Sequence, residues 1–271
     1  MGSQMKIALG QIDMVWEDKE ASIKKVEHML EVAAADRADL LILPEMSLTG
    51  FSMNLTRIGE DPQDSFTVKK MSTLARRYHV GIGVGWSAVS SGETQGKNCF
   101  TLIGDRGEVL GQYEKIHPFS YGGEARYYRG GDRLVIVPYK GRMLSLFVCY
   151  DLRFPELFQV ASRQADIMLV IANWPSTRRE QWISLLRARA VESQAYVVGV
   201  NCVGTRDGLE YVGDSMALDP VGNTLGLLSR QEGVLLCELE DKAWHLRDKF
   251  SIRQDRREDL YTRYYYQEKQ D

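Results

Sequence analysis

Three nearly uninterrupted apolar runs set the strongest limit on the fold: Asp39 to Leu43, Leu144 to Val148 and Asp166 to Ala172. A strand with one wet face alternates polar and apolar residues. A strand that is apolar at almost every position is buried on both faces, as in layered α/β proteins. Between these runs the period changes to that of a helix. Asp18 can cap a helix in which Ile23, Val26, Leu30 and Ala33 recur at spacings of three and four. Ser65 to His79 and Arg179 to Ser193 read as further helices. Phe154 to Ser162 reads as a short one with Pro155 in its first turn. Lys6 to Ile12, Val80 to Val89 and Ala195 to Asn201 read as further strands.

Two hairpins complete the pattern. One joins Asn98–Ile103 to Glu108–Tyr113 around Gly104-Asp105-Arg106-Gly107. The other joins Val212–Leu218 to a strand from Leu225 onward, around Asp219 to Asn223. Val234 to Leu239 closes the sheet, and Asp241 to Lys249 reads as a last short helix. The tail from Phe250 to Asp271, polar and rich in Arg and Tyr, needs a partner surface or frays. No linker or repeat divides the chain, so residues 5–271 read as one domain. Mixed βα units and hairpins predict an α/β fold, a four-layer α-β-β-α sandwich of two mixed sheets. A single doubly wound sheet also fits the pattern.

Composition excludes several functions. With 34 basic and 37 acidic residues the net charge is -3, and no basic stripe argues for nucleic acid. No apolar run reaches the ~18 residues of a membrane span. Met1 to Gln4 read as an expression scar before a native Met5, with no segment of signal-peptide type. Cys99, Cys149, Cys202 and Cys237 lie far apart, with no CxxC or short Cys-His spacing. That excludes a disulfide framework and a zinc site and makes cytoplasm the default compartment.

Chemistry concentrates at strand ends, where open α/β sheets bind ligands. The run Leu144–Val148 leads straight into Cys149, with Asp151, Arg153 and Glu156 crowded behind it. A cysteine taken at random is a buried hydrophobe, but an inert core thiol does not keep such company. A Cys nucleophile needs a base, and among His28, His79, His117 and His245 only His117 is well placed, so a Cys-His dyad stays open. Pro44 ends another buried strand and holds Glu45 at its mouth. Lys115 follows the first hairpin. Taken singly, these read equally as an exposed carboxylate and a solvated charge.

In combination the segments resemble the nitrilase superfamily of carbon-nitrogen hydrolases. The carrying motifs are Leu41-Ile42-Leu43-Pro44-Glu45, Tyr113-Glu114-Lys115-Ile116-His117-Pro118-Phe119 and Cys149 to Glu156 (CYDLRFPE), with separations of 70 and 34 residues. The resemblance spans about Met5 to Tyr261. It implies a Glu45–Lys115–Cys149 triad that works without a metal or cofactor. Glu45 would be the general base, and Lys115 and the Tyr150 backbone N–H the oxyanion donors. It also implies a second glutamate, Glu124, that positions substrate or lysine. Arg189 and Glu192 are expected to pair with Asp151 or Arg153 and so brace the cysteine turn.

Ala172-Asn173-Trp174-Pro175, Arg178, Gln181-Trp182, Asn201 to Gly204 and Gly213-Asp214-Ser215 resemble the omega-amidase branch. That branch hydrolyses the terminal amide of 2-oxoglutaramate or 2-oxosuccinamate, releasing ammonia through a thioester that water cleaves. Arg178 is expected to take the substrate carboxylate, with Asn173, Trp174, Phe119 and Tyr121 around it. The resemblance also supports a homodimer, with contacts on the helix carrying Trp182 and around Tyr261 to Tyr266. An N-carbamoyl-amide hydrolase or a deaminated-glutathione amidase is the nearest rival. A nitrilase acting on nitriles is disfavoured, because CYDLRFPE stands where nitrilases carry Cys-Trp-Glu. A metal-dependent phosphoesterase of similar layering would need a Ser-Asp-His, which is absent. An intact triad disfavours a non-catalytic scaffold.

Overall fold

The structure, a computed structural model, describes residues 4–240 and 243–267. Met1 to Ser3 of the supposed scar, the start of the helix expected from Asp241, and residues 268–271 of the tail lie outside the described residues.

In chain order the strands are β1 (Met5–Gln11), β2 (Leu40–Ile42), β3 (Gly81–Ala88), β4 (Lys97–Ile103), β5 (Val109–Glu114), β6 (Ile136–Tyr139) and β7 (Arg142–Val148). They continue as β8 (Ile167–Ala172), β9 (Tyr196–Asn201), β10 (Val203–Arg206), β11 (Leu209–Leu218), β12 (Thr224–Ser229) and β13 (Gly233–Leu239). The helices are α1 (Lys19–Ala35), α2 (Leu55–Ile58), α3 (Phe66–Tyr78), α4 (Pro155–Ala161), α5 (Arg179–Ser193), α6 (Ala243–Lys249) and α7 (Glu258–Gln267). The caps are those the residues suggest: Asp18 accepts from Ala21 N, and Ser65 from Val68 N.

These strands form two mixed sheets. One has the order β13-β1-β2-β3-β4-β5 and the other β10-β11-β9-β8-β7-β6, with β12 paired to β11. In each, a parallel trio (β1-β2-β3 and β7-β8-β9) is flanked by antiparallel neighbours. The doubly wound alternative is therefore excluded, and the four-layer sandwich holds.

Packing explains the apolar runs. In β8, Ile167, Leu169 and Ile171 join the core between the sheets, while Met168, Val170 and Ala172 join the core that includes Trp182 and Leu186 of α5. In β7, Leu144, Leu146 and Val148 face the other sheet and Phe147 lies under the helices. In β1, Met5, Ile7 and Leu9 face the inter-sheet core, and Ala8 packs with Val26 and Leu30 of α1. The strand period of two assigns each residue to one layer or the other. Each fully buried Leu or Ile contributes roughly 1.5–3 kcal/mol, so the inter-sheet layer both stabilises the fold and sets the two sheets in register.

Neither β6 nor α7 announces itself in sequence. β6 contains Pro138, which cannot donate to a ladder, and it lies at the edge of its sheet, where that costs little. The tail finds a surface in its own chain. Arg253 Nη1 donates to Ser162 O (2.6 Å), Tyr265 Oη donates to Glu156 Oε1 (3.0 Å), and Arg163 pairs with Glu258.

Candidate active site

The first component is the turn after β2. Ser47 Oγ donates to Pro44 O (2.5 Å), Ser47 N donates to Gly85 O and Gly85 N donates to Ser47 Oγ (both 2.9 Å). Gly85 is required there. A Cβ at that position would lie 2.5 Å from Met46 N and 2.8 Å from Glu45 Cα. The second sheet holds the turn as well: Asn173, just beyond β8, donates through Nδ2 to Glu45 O (2.5 Å) and through its backbone N to Glu45 Oε2 (2.9 Å).

The second component is the sharp turn after β7. Cys149 has φ 47°, a left-handed value that strains a residue with a side chain, and it opens a 3-10 turn, Cys149–Arg153. Buried Asp151 holds the turn from within, accepting from Val148 N (3.1 Å), Tyr113 Oη (2.8 Å) and His117 N (3.0 Å). His117 Nδ1 lies 2.9 Å from Asp151 Oδ1, and its ring stacks on Phe154 at 3.7 Å. That engages the one histidine open as a dyad partner, which is not among the residues lining the pocket of Cys149. His28, His79 and His245 are exposed.

The expected pairing of Arg189 and Glu192 with Asp151 or Arg153 is corrected: the two pair with each other, and Arg189 braces the cysteine turn through a backbone carbonyl. Arg189 donates to Leu152 O through Nε (3.0 Å) and Nη2 (2.7 Å) and pairs with Glu192 (2.9 Å). Asp151 is taken by Tyr113 and His117 instead. Arg153 reaches the side chain of Gln181 (2.5 Å) and lies over Trp174 (4.8 Å). The physical reason is the direction of the chain: the 3-10 turn aims the Leu152 carbonyl at Arg189 in the body of α5, while Arg153 reaches Gln181 in its first turn.

Lys115 lies just beyond β5, 1 % exposed, with Glu45 and Glu124 fully buried beside it. Lys115 Nζ donates to Glu45 Oε1 (2.9 Å) and Glu124 Oε2 (2.8 Å), and Phe119 N also donates to Glu124 Oε2 (2.6 Å). Burial alone would lower the lysine; Glu124 and Glu45 outweigh it and hold Lys115 charged, well above its usual range. Cys149 is pushed well above the usual thiol range by burial and by the nearby Glu45 carboxylate. Lys115 opposes that shift without cancelling it. These surroundings favour the protonated thiol at rest.

Cys149 opens onto a pocket lined by Phe51, Phe119, Tyr150, Asn173, Trp174, Pro175, Leu209 and Tyr211, together with Arg153 and Arg178. Four of the five expected substrate-side residues are there. Tyr121 is the correction: it is 88 % exposed, against the outer side of Phe119 with ring centroids 5.9 Å apart. The Ser120–Gly123 turn carries it outward. Arg179 is committed to Asp214 (2.7 Å), whereas the neighbouring Arg178 lies over Phe119 (5.3 Å) and makes no side-chain ion pair among the described residues. Sequence reasoning missed Phe51, Leu209 and Tyr211 in the wall and Asn98 in the charged centre. Asn98 alone left a trace, as an amide inside an otherwise apolar strand, which must find partners when buried. Among the described residues no group of three or more His, Cys, Asp or Glu is placed to hold a metal ion.

The carbon-nitrogen hydrolase family profile matches residues 6–245. Omega-amidase YafV of Yersinia enterocolitica is 34% identical over 223 residues, 81% of this chain and 83% of that protein. The 2-oxoglutaramate amidase of Bacillus subtilis (strain 168) is 30% identical over 254 residues, 93% of this chain and 97% of that protein. Among solved structures, an amidase from Nesterenkonia sp. AN1 superposes with a TM-score of 0.87 at 27% identity, covering 97% of both chains. In that structure the acetamide moiety of fluoroacetamide is covalently attached to the active-site cysteine.

Proposed function

The chain belongs to the carbon-nitrogen hydrolase family, and from that premise we propose that it hydrolyses the terminal amide of a short 2-oxo ω-amide acid. 2-Oxoglutaramate and 2-oxosuccinamate are the substrates in view. The observation that carries this reading is the juxtaposition of the Cys149 thiol, a buried Glu–Lys–Glu cluster and a pocket with two guanidinium groups on its wall. Cys149 Sγ attacks the amide carbon while its proton passes to Glu45. The carbonyl electron pair moves onto oxygen, where the third N–H of Lys115 and the Tyr150 N–H hold it. As the tetrahedral adduct collapses, Glu45 returns the proton to nitrogen and ammonia leaves. Water then attacks the thioester, giving a proton to Glu45, and the acid departs as the thiol re-forms. Glu124 keeps Lys115 charged and in place throughout.

Arg178 supports the choice of an anionic substrate, and Arg153, on the same wall, adds a second cation. A charge-assisted contact is worth roughly 1.5–3 kcal/mol, about 10- to 150-fold in kcat/KM. A screen of ω-amides with ammonia detection, run beside Cys149→Ala, tests the reading. Arg178→Ala should then lose that factor on 2-oxoglutaramate and keep its rate on hexanamide. Equal loss on both amides would make Arg178 structural; no loss on either would remove it from the site.

We also propose a homodimer in the cytoplasm. All four cysteines are free, as a reducing compartment would keep them, and no helix among the described residues is long and apolar enough to cross a membrane. Trp182 itself is not a dimer contact: it is 1 % exposed, and its Nε1 donates to Asp214 O (2.9 Å). The outward face of α5, with Val191, and the exposed Tyr264, Tyr265 and Tyr266 of α7 are the surfaces that suit one. Light scattering should give twice the chain mass of 30.8 kDa; the single mass at micromolar concentration would refute the dimer.

A further inference from the structure

Asn98 is the residue of the charged centre with no assigned part. It sits in β4 opposite Ser87 of β3, 1 % exposed, and its backbone O accepts from Lys115 N (2.8 Å). Its side-chain Nδ2 donates to Glu45 Oε1 (2.7 Å) and to Glu124 Oε1 (3.0 Å). An amide nitrogen carries two hydrogens, so one carboxylate receives each. The four side chains close a ring in which Lys115 bridges the carboxylates on one side and Asn98 on the other. The amide's other end is different: Asn98 Oδ1 is buried with no hydrogen-bond partner among the described residues. An amide placed to stabilise the fold would satisfy both ends, since a buried acceptor left alone is costly. Here only the donor end is served.

We propose that Asn98 is a positioning residue that lets both glutamates stay ionised beside a single lysine, and so keeps Glu45 open to the thiol proton. Two carboxylates with one cation would otherwise retain a proton between them, as like charges in close quarters do. A proton held there would be held by the base itself. A lysine could not replace Asn98, because a second cation would draw Glu45 away from Cys149; a neutral double donor stabilises both charges without competing for the thiol. The other groups around Glu45 do not change charge near pH 7. Burial raises Tyr128 and Tyr211, and pushes the Cys202 thiol up to about 12. Arg206, over the ring of Tyr211 at 5.0 Å, is paired with Asp13.

This inference rests on the proposed role of Glu45, and the test separates the two. Asn98→Leu, Asn98→Ser and Asn98→Asp are compared with wild type and Cys149→Ala on one ω-amide, measuring kcat, KM and the pH profile of kcat/KM, with thermal melts as the folding control. Losing a hydrogen bond to charged groups should lower kcat about 10- to 100-fold in Asn98→Leu, with KM within about threefold. The acid limb of the profile should move to higher pH. Asn98→Ser, which keeps one donor, should recover part of the loss. Asn98→Asp should be the slowest near pH 7, although it is the closest in shape, because it adds a third carboxylate to one lysine. A space-filling role predicts the opposite order, with Asp the mildest. Near wild-type activity in Asn98→Asp, or an unmoved acid limb in both Leu and Ser variants, overturns the proposal while leaving the triad standing. Activity in Cys149→Ala would instead overturn the triad.

Discussion

Cys149→Ala leaves the protein folded and takes amide turnover to background. A methyl in place of a half-buried thiol changes little volume, and alanine tolerates the left-handed φ of 47° as well as cysteine does. The reaction, in contrast, has no other thiol in the pocket among the described residues. The other three cysteines are buried, and His117 is held by Asp151 and Phe154. Removing a nucleophile from a coupled catalytic group costs on the order of 10⁵ or more in kcat. Ammonia release from the best ω-amide, read beside far-UV circular dichroism, checks both halves. Near wild-type turnover in a folded variant would refute the proposed mechanism.

Glu45→Gln and Lys115→Ala each lose at least about 100-fold in kcat, the scale of one acid/base or oxyanion group, but for different reasons. Glu45→Gln keeps shape and burial. It removes the acceptor for the thiol proton and one of the two carboxylates paired with Lys115, whose charge Glu124 still balances, so it should turn over slowly at a smaller cost in stability than Lys115→Ala. Lys115→Ala strips the cation from between two fully buried carboxylates. Breaking such a pair costs roughly 3–5 kcal/mol, so this variant should lose stability as well as rate. A Glu45→Gln enzyme within tenfold of wild type would exclude Glu45 as the base. A Lys115→Ala enzyme with unchanged melting would mean that the carboxylates take up protons when the lysine leaves.

Much of this was legible because the responsible residues are local in sequence. The doubly apolar runs at 39–43, 144–148 and 166–172 give both the strands and the need for a layer on either face. Asp18, Ser65 and Pro155 mark helix starts by their own chemistry. Pro44-Glu45, Lys115 and Cys149 all sit where a strand ends. What failed was what depends on the third dimension. Arg153 and Arg189 are charges on adjoining elements, and nothing in their spacing says that one turns to the cleft and the other to a carbonyl. Tyr121 is aromatic and near Phe119 in sequence, yet the Gly122-Gly123 turn leaves it in solvent. Asn98 was passed over because its partners lie 53 and 26 residues away.

The two halves of the site ride on different sheets. Glu45 and Lys115 extend from β2 and β5 of one, Cys149 and Asn173 from β7 and β8 of the other. At this end the sheets are held together by a few hydrogen bonds, Asn173 to Glu45 and Tyr113 and His117 to Asp151, above the packing of Leu146, Val148, Ile171 and their counterparts. Turnover is thus a gauge of how well two slabs are aligned. Proton transfer tolerates little change in distance, whereas a hydrophobic layer can slip by a fraction of an ångström at small cost. Natural variation in that layer is consequently policed by chemistry more strictly than by folding, and a protein that has drifted there can remain intact and be silent.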